Sequence, residues 1–66
     1  MLNFTILFDN IPDTDLKRIL KRFEVVHHYK TGQYTIVLGK IYDITMLINI
    51  RNLYPDCKIK CEGETI

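Results

Sequence analysis

The sequence predicts one α+β domain built in the order β-α-β-β-α-β. Three observations predict it: an apolar pattern that recurs at an offset of thirty residues, an alternating segment that opens each copy, and a helix-spaced apolar run after each opening. At that offset Phe4-Thr5-Ile6-Leu7-Phe8 lies beside Tyr34-Thr35-Ile36-Val37-Leu38, Ile11 beside Ile41 and Asp13 beside Asp43. Further on, Leu16, Leu20 and Phe23 fall on Met46, Ile50 and Leu53, and Tyr29-Lys30 falls on Ile59-Lys60. The chain thus divides into units 1–30 and 31–66 of one domain.

The first strand alternates, with Leu2, Phe4, Ile6 and Phe8 on one face and Asn3, Thr5, Leu7 and Asp9 on the other. Pro12 discourages continuation of the strand, and the Asp13 carboxylate is placed to accept free N–H groups of a first helical turn. A helix of about 11 residues comes next, with Leu16, Ile19, Leu20 and Phe23 inward and Lys17, Arg18, Lys21 and Arg22 toward water or along its flanks. Glu24 to Lys30 is the second strand. Lys30-Thr31-Gly32-Gln33 is a tight turn in which Gly32 supplies positive φ.

The second unit repeats the plan. Tyr34, Ile36 and Leu38 form the inward set of its first strand, against Gln33, Thr35 and Val37. Asp43 takes the capping position, a helix carries Met46, Leu47, Ile50, Leu53 and Tyr54, and the stretch from Cys57 to Cys61 is the last strand, entered through Tyr54-Pro55-Asp56. With right-handed crossovers this order gives a ferredoxin-like fold: a four-stranded antiparallel sheet in the order 4-1-3-2 with both helices on one face. An intertwined dimer of the same units is the alternative.

At 66 residues such a domain buries about 60% of its unfolded surface, so an oligomer or a partner would add stability. The apolar fraction of 47% and the charged fraction of 26% are those of a folding chain. Net charge is +1, and neither half carries a strong field toward DNA or an anionic membrane. No apolar run approaches 18 residues and no signal-peptide pattern opens the chain, so a cytoplasmic location without membrane association is expected. Cys57 and Cys61, four residues apart on a strand, are about 13 Å apart and cannot form a disulfide; both are expected as buried thiols. Alanine is absent and isoleucine occurs ten times, a bias that fits an AT-rich genome such as that of many phages or low-GC bacteria.

Catalytic chemistry finds no motif. Paired carboxylates, a Gly-rich phosphate loop and a nucleophile with an assigned base are missing, so no catalytic residue, cofactor or metal site is expected. Adjacent His27 and His28 point to opposite faces, one packed under the sheet and one exposed, and His27 and Cys57 are too far apart for one ion.

Two surfaces remain. The second helix carries Ile44 and Ile48 round toward its outer side, where the first helix has Thr14 and Arg18; this ridge, with Arg51, is the expected protein-contact or dimer surface. The open sheet face should show Asn3, Thr5, Leu7, Val26, His28, Lys30, Thr35, Val37, Lys58 and Lys60. Of these Thr5, Leu7, Thr35, Val37, His28, Lys58 and Lys60 are candidate ligand contacts. With no aromatic on its central strands that face is not expected to stack nucleic-acid bases.

The stretch Tyr34-Thr35-Ile36-Val37-Leu38-Gly39-Lys40-Ile41, continued by a helix and a short strand, resembles the repeat of SPOR domains, which are built from two β-α-β copies in one four-stranded sheet. Size and topology match across nearly the whole chain. SPOR domains bind denuded peptidoglycan glycan strands on the open sheet face, and the resemblance implies the same surface here, around Thr5, Leu7, Thr35 and Val37. The expected function is a small non-enzymatic protein-interaction module, a homo-oligomer or a phage- or mobile-element-type protein that binds and modulates a host or assembly protein. Glycan or nucleic-acid binding on the sheet face is the alternative.

Overall fold

The computed structural model describes all 66 residues. Two alternating segments form its central strands, β1 (Leu2–Asp9) and, later in the chain, β3 (Tyr34–Ile41). Between them lie α1 (Asp13–Arg22) and β2 (Glu24–Thr31); after them come α2 (Thr45–Leu53), β4 (Lys58–Cys61) and β5 (Glu64–Thr65). The sheet is antiparallel throughout, in the order β2-β3-β1-β4-β5. Its first four strands reproduce the expected order. Both helices bury their apolar stripes, Leu16 and Ile19 from α1 and Leu47 and Ile50 from α2, in one core with Phe4, Ile6 and Phe8, so they share one face of the sheet. Neither helix is long and apolar enough to cross a membrane.

The phase of β3 departs from expectation. Its inward residues are Thr35, Val37, Gly39 and Ile41, with Val37 and Thr35 only 0% and 2% exposed, while Tyr34, Ile36 and Leu38 point to the open face. Register explains why: Phe4 lies opposite Gly39, Ile6 opposite Val37 and Phe8 opposite Thr35. Each large side chain of β1 meets a small one of β3, which lets the layer fill at close-packed density; Phe and Ile on β1 against Tyr, Ile and Leu on β3 would overfill it. The pairing at an offset of thirty therefore does not carry over to burial along β3, where Phe4, Ile6 and Phe8 would align with Tyr34, Ile36 and Leu38 but it is Thr35, Val37 and Gly39 that turn inward.

Gly39 is the tightest point of this arrangement. A Cβ there would lie 2.5 Å from the Glu24 carbonyl oxygen and 2.8 Å from Phe4 Cζ. The Phe4 ring therefore lies over the glycine and reaches Phe23 at the end of α1, edge to face, with ring centroids 5.8 Å apart. At the other end of β1, Phe8 meets Tyr54 after α2 in the same way, at 5.5 Å and 84°. One aromatic of β1 thus anchors the C-terminal end of each helix.

β2 departs from simple alternation as well. A bulge between Val25 and His27 leaves Val26 unpaired and reverses the inside-outside phase of the rest of the strand. His27, Tyr29 and Thr31 pair with Leu38, Ile36 and Tyr34 and so share the open face. His28 and Lys30 oppose Val37 and Thr35 on the helix side, where Lys30 Nζ donates to Asp13 Oδ1 at 2.9 Å. Asp13 is therefore an ion-pair partner rather than a cap; Pro12 occupies the N-cap position and no side chain caps α1. Asp43 does cap, its Oδ1 accepting the Thr45 N–H at 2.9 Å.

Two two-residue loops close the hairpins. Gly32 takes φ 63° between β2 and β3, as expected, and Glu62-Gly63, at φ 52° and 85°, turns β4 back into β5. β5 was not expected. Glu62 tolerates its left-handed backbone because Asn3 holds it from both sides: the Asn3 N–H donates to Glu62 Oε1 at 2.9 Å and the Glu62 N–H donates to the Asn3 carbonyl at 2.8 Å. Ile66 then donates its N–H to the Ile59 carbonyl and packs against the core.

Replacing Gly39 by Ala should cost about 1–3 kcal/mol of stability through overpacking against Phe4 and Glu24, read as a lowered urea midpoint at unchanged slope; an unchanged midpoint would contradict the close approach.

The Thr45 hydrogen bond holds the Asp43 carboxyl below its ordinary range, and Lys30 does the same for Asp13. A carboxyl titrating lower in the folded than in the unfolded chain stabilises fully above its unfolded value, about 3.9, and less as pH falls through the folded one. The thermal midpoint should therefore drop on acidification below about pH 4, and drop less in the Asp13→Ala, Asp43→Ala double variant. Identical acid profiles for the two proteins would contradict these assignments.

Candidate interaction surface

Opposite the helices nothing covers the sheet. Because strand pairing sets side chains directly across from one another, the open face resolves into rows. One runs Tyr29, Ile36, Leu7, Lys58 across β2, β3, β1 and β4; the next runs His27, Leu38, Thr5, Lys60; a third runs Thr31, Tyr34, Asp9. The centre of the face is aliphatic, formed by Leu7, Ile36 and Leu38, each half-buried among its neighbours. Aromatic groups lie toward the β2 side: Tyr29 and Tyr34 are 43% and 40% exposed, and the Tyr29 ring lies 5.5 Å from that of His27. Lysines line the β4 side. Thr5, Leu7, Ile36, Lys58 and Lys60 enclose a shallow depression of about 300 Å³ whose floor is apolar, and a second, lined by Leu7, Asp9, Tyr34, Asp56 and Lys58, adjoins it through Leu7 and Lys58.

Among the expected sheet-face contacts, Thr5, Leu7, Lys58 and Lys60 do lie on this surface. Thr35 and Val37 do not: the size match with Phe8 and Ile6 turns both into the core. His28 does not either, because the Val26 bulge moves it and Lys30 to the helix side and brings His27 to the open face; both histidines are exposed, and neither packs beneath the sheet. Tyr29, Tyr34, Ile36 and Leu38 are the residues of this face that sequence reasoning missed. The small inward set at positions 35, 37 and 39 is the signal that could have found them.

The outer side of α2 is narrower. Ile44, just before the helix, and Ile48 are 41% and 43% exposed and stand one helical turn apart. Arg51, expected beside them as a contact residue, is half-buried and its Nη1 donates to the Pro55 carbonyl, closing the loop after α2. The ridge is therefore two isoleucines wide and is not extended by a free cation. On α1, Lys17, Arg18, Lys21 and Arg22 are exposed, with Lys21 and Arg22 in the last turn where the helix dipole favours positive charge.

Cys57 and Cys61 are unpaired and buried. Burial pushes both thiols above their ordinary range, Cys61 further so through Glu62 and Glu64, which leaves them protonated and poorly nucleophilic at neutral pH. No three His, Cys, Asp or Glu side chains converge closely enough to hold a metal ion. The open face of the sheet has an aliphatic centre, with aromatic side chains toward β2 and Lys58 and Lys60 on β4.

Comparison with protein-family models, with curated proteins and with solved structures finds no match to this chain.

Proposed function

We propose that this protein is a non-enzymatic interaction module that works by shape and apolar contact, and that its working surface is the open face of the sheet. The observation that carries this reading is the phase of β3, which spends Tyr34, Ile36 and Leu38 on the uncovered side while Thr35, Val37 and Gly39 fill the core. A contiguous apolar centre with a polar and charged border has the anatomy of a protein-contact surface. Its aliphatic centre favours packing against another polypeptide, because branched side chains give no plane on which a base or a sugar ring can stack. The absence of alanine and the ten isoleucines fit an AT-rich genome, and with it a phage- or mobile-element-type protein that binds and modulates another protein.

Single-strand nucleic-acid binding is a second reading, favoured by Tyr29, Tyr34 and His27 on one side of the face and Lys58 and Lys60 on the other. Against it stand the small net charge of +1, Asp9 on the same face, and Glu24, which lies beside the third lysine of the face, Lys40. The glycan surface implied by the SPOR resemblance loses Thr35 and Val37 to the core and keeps Thr5 and Leu7.

The test is a photo-crosslinking side chain placed at position 36 or, as a control on the far side of the molecule, at position 17, in lysate of the cells that make the protein. Covalent adducts to polypeptide, a second copy of this chain included, should form from position 36 and not from position 17. Equal adducts from both positions would contradict the surface assignment. Absence of polypeptide adducts, together with oligonucleotide binding that weakens steeply with salt and is lost in the Lys58→Glu, Lys60→Glu variant, would replace it by the nucleic-acid reading.

A further inference from the structure

The apolar and basic parts of the open face lie side by side, and this asymmetry is self-complementary. Consider two copies with their open faces together and a two-fold axis running parallel to the strands, midway between the sheets and over the boundary of β1 and β3. The axis reverses each row. In the row Tyr29, Ile36, Leu7, Lys58, Ile36 of one copy comes opposite Leu7 of the other, and Lys58 comes over the ring of Tyr29; in the next row Leu38 comes opposite Thr5. Aliphatic side chains meet at the centre of the first row, and an ammonium meets the Tyr29 ring at each of its borders. Lys60 comes over His27 and, in the row of Glu24, Lys40 and Asn3, Lys40 comes opposite the Asn3 amide. An axis across the strands would instead set the two lysine pairs against each other, which like-charge repulsion disfavours.

Area and edges point the same way. A face of this width and strand length offers roughly 500–600 Å² per copy, or roughly 1,000–1,200 Å² for two, at the lower end of specific interfaces. Strand addition at the sheet's borders is impeded: β2 carries the Val26 bulge and Lys30, and β5 is two residues long. Only 16 of 66 residues are buried in the single chain, so covering Leu7, Ile36 and Leu38 would enlarge a core that is small for independent stability.

We infer that the occupant of the open face is a second copy of this chain, packed face to face with aligned strands; this rests on the reading of that face as a protein-contact surface. The interface is a two-layer β-sandwich with helices outside. Its area lies in the size class of weak, transient contacts, so the dimer forms reversibly and with concentration.

Light scattering on the purified chain between about 10 µM and about 1 mM tests this. The mass should rise from that of one chain to that of two, and the Ile36→Asp variant should stay monomeric throughout while its circular dichroism remains that of the wild type. Lys58→Glu, an exposed change that leaves the fold intact, should weaken the dimer about tenfold by removing the cation from Tyr29. A wild-type chain that is monomeric at every concentration overturns the inference, and so does a dimer that survives both changes. Either result leaves the contact-surface reading to the crosslinking experiment, which can succeed with a different protein.

Discussion

Size matching between β1 and β3 is the constraint on which the rest of the molecule depends. Three large inward side chains of β1 face Gly39, Val37 and Thr35, and no larger partner would fit beneath the helices. The glycine lets the Phe4 ring lie down on β3 and reach Phe23, which fixes the exit of α1 into β2. The same close approach brings Glu24 against Gly39, next to the Val26 bulge. A single small residue thereby bears on the packing of one helix, the start of an edge strand and the outward direction of three of the five apolar side chains of β3.

Because strand side chains alternate strictly, filling the core with the smaller set obliges the larger set to face outward. Tyr34, Ile36 and Leu38 would bury more apolar surface than Thr35, Val37 and Gly39 if both sets could be accommodated. The layer between sheet and helices is already filled by β1. Stability gained by good packing on one side therefore appears as uncovered apolar area on the other, and in a chain of 66 residues that area is a large share of the whole surface. The functional reading and the packing constraint are two consequences of one register.

The elements themselves were legible in the sequence, since alternation marked β1 and β3, spacings of three and four marked both helices, and the glycine turn marked the β2–β3 hairpin. Sheet order came from connectivity, and Thr5, Leu7, Lys58 and Lys60 were placed on the open face for the right reason. Phase was the part that failed. Both faces of β3 are apolar enough to be inward, so hydrophobicity could not choose between them; the choice lies in volume across the β1–β3 pair, a property of two strands rather than one. The Val26 bulge inserts a residue with no mark in composition, and it carried His27 and His28 to the wrong sides. β5 went unseen because Glu62 is not a residue that ordinarily signals a left-handed turn, and its support comes from Asn3 at the far end of the chain.

The most direct test of this account compares two neighbouring substitutions on β3, Val37→Asp and Ile36→Asp, by chemical denaturation of the dilute protein. An unpaired carboxylate at position 37 sits in the core between Ile6 and the helices, and should abolish cooperative unfolding or cost at least about 3 kcal/mol. At position 36 the carboxylate reaches water, and the folded monomer should keep its stability within about 1 kcal/mol. The reverse order of damage would mean that the larger set of β3 residues faces the helices, and would remove both the core described here and the surface that depends on it.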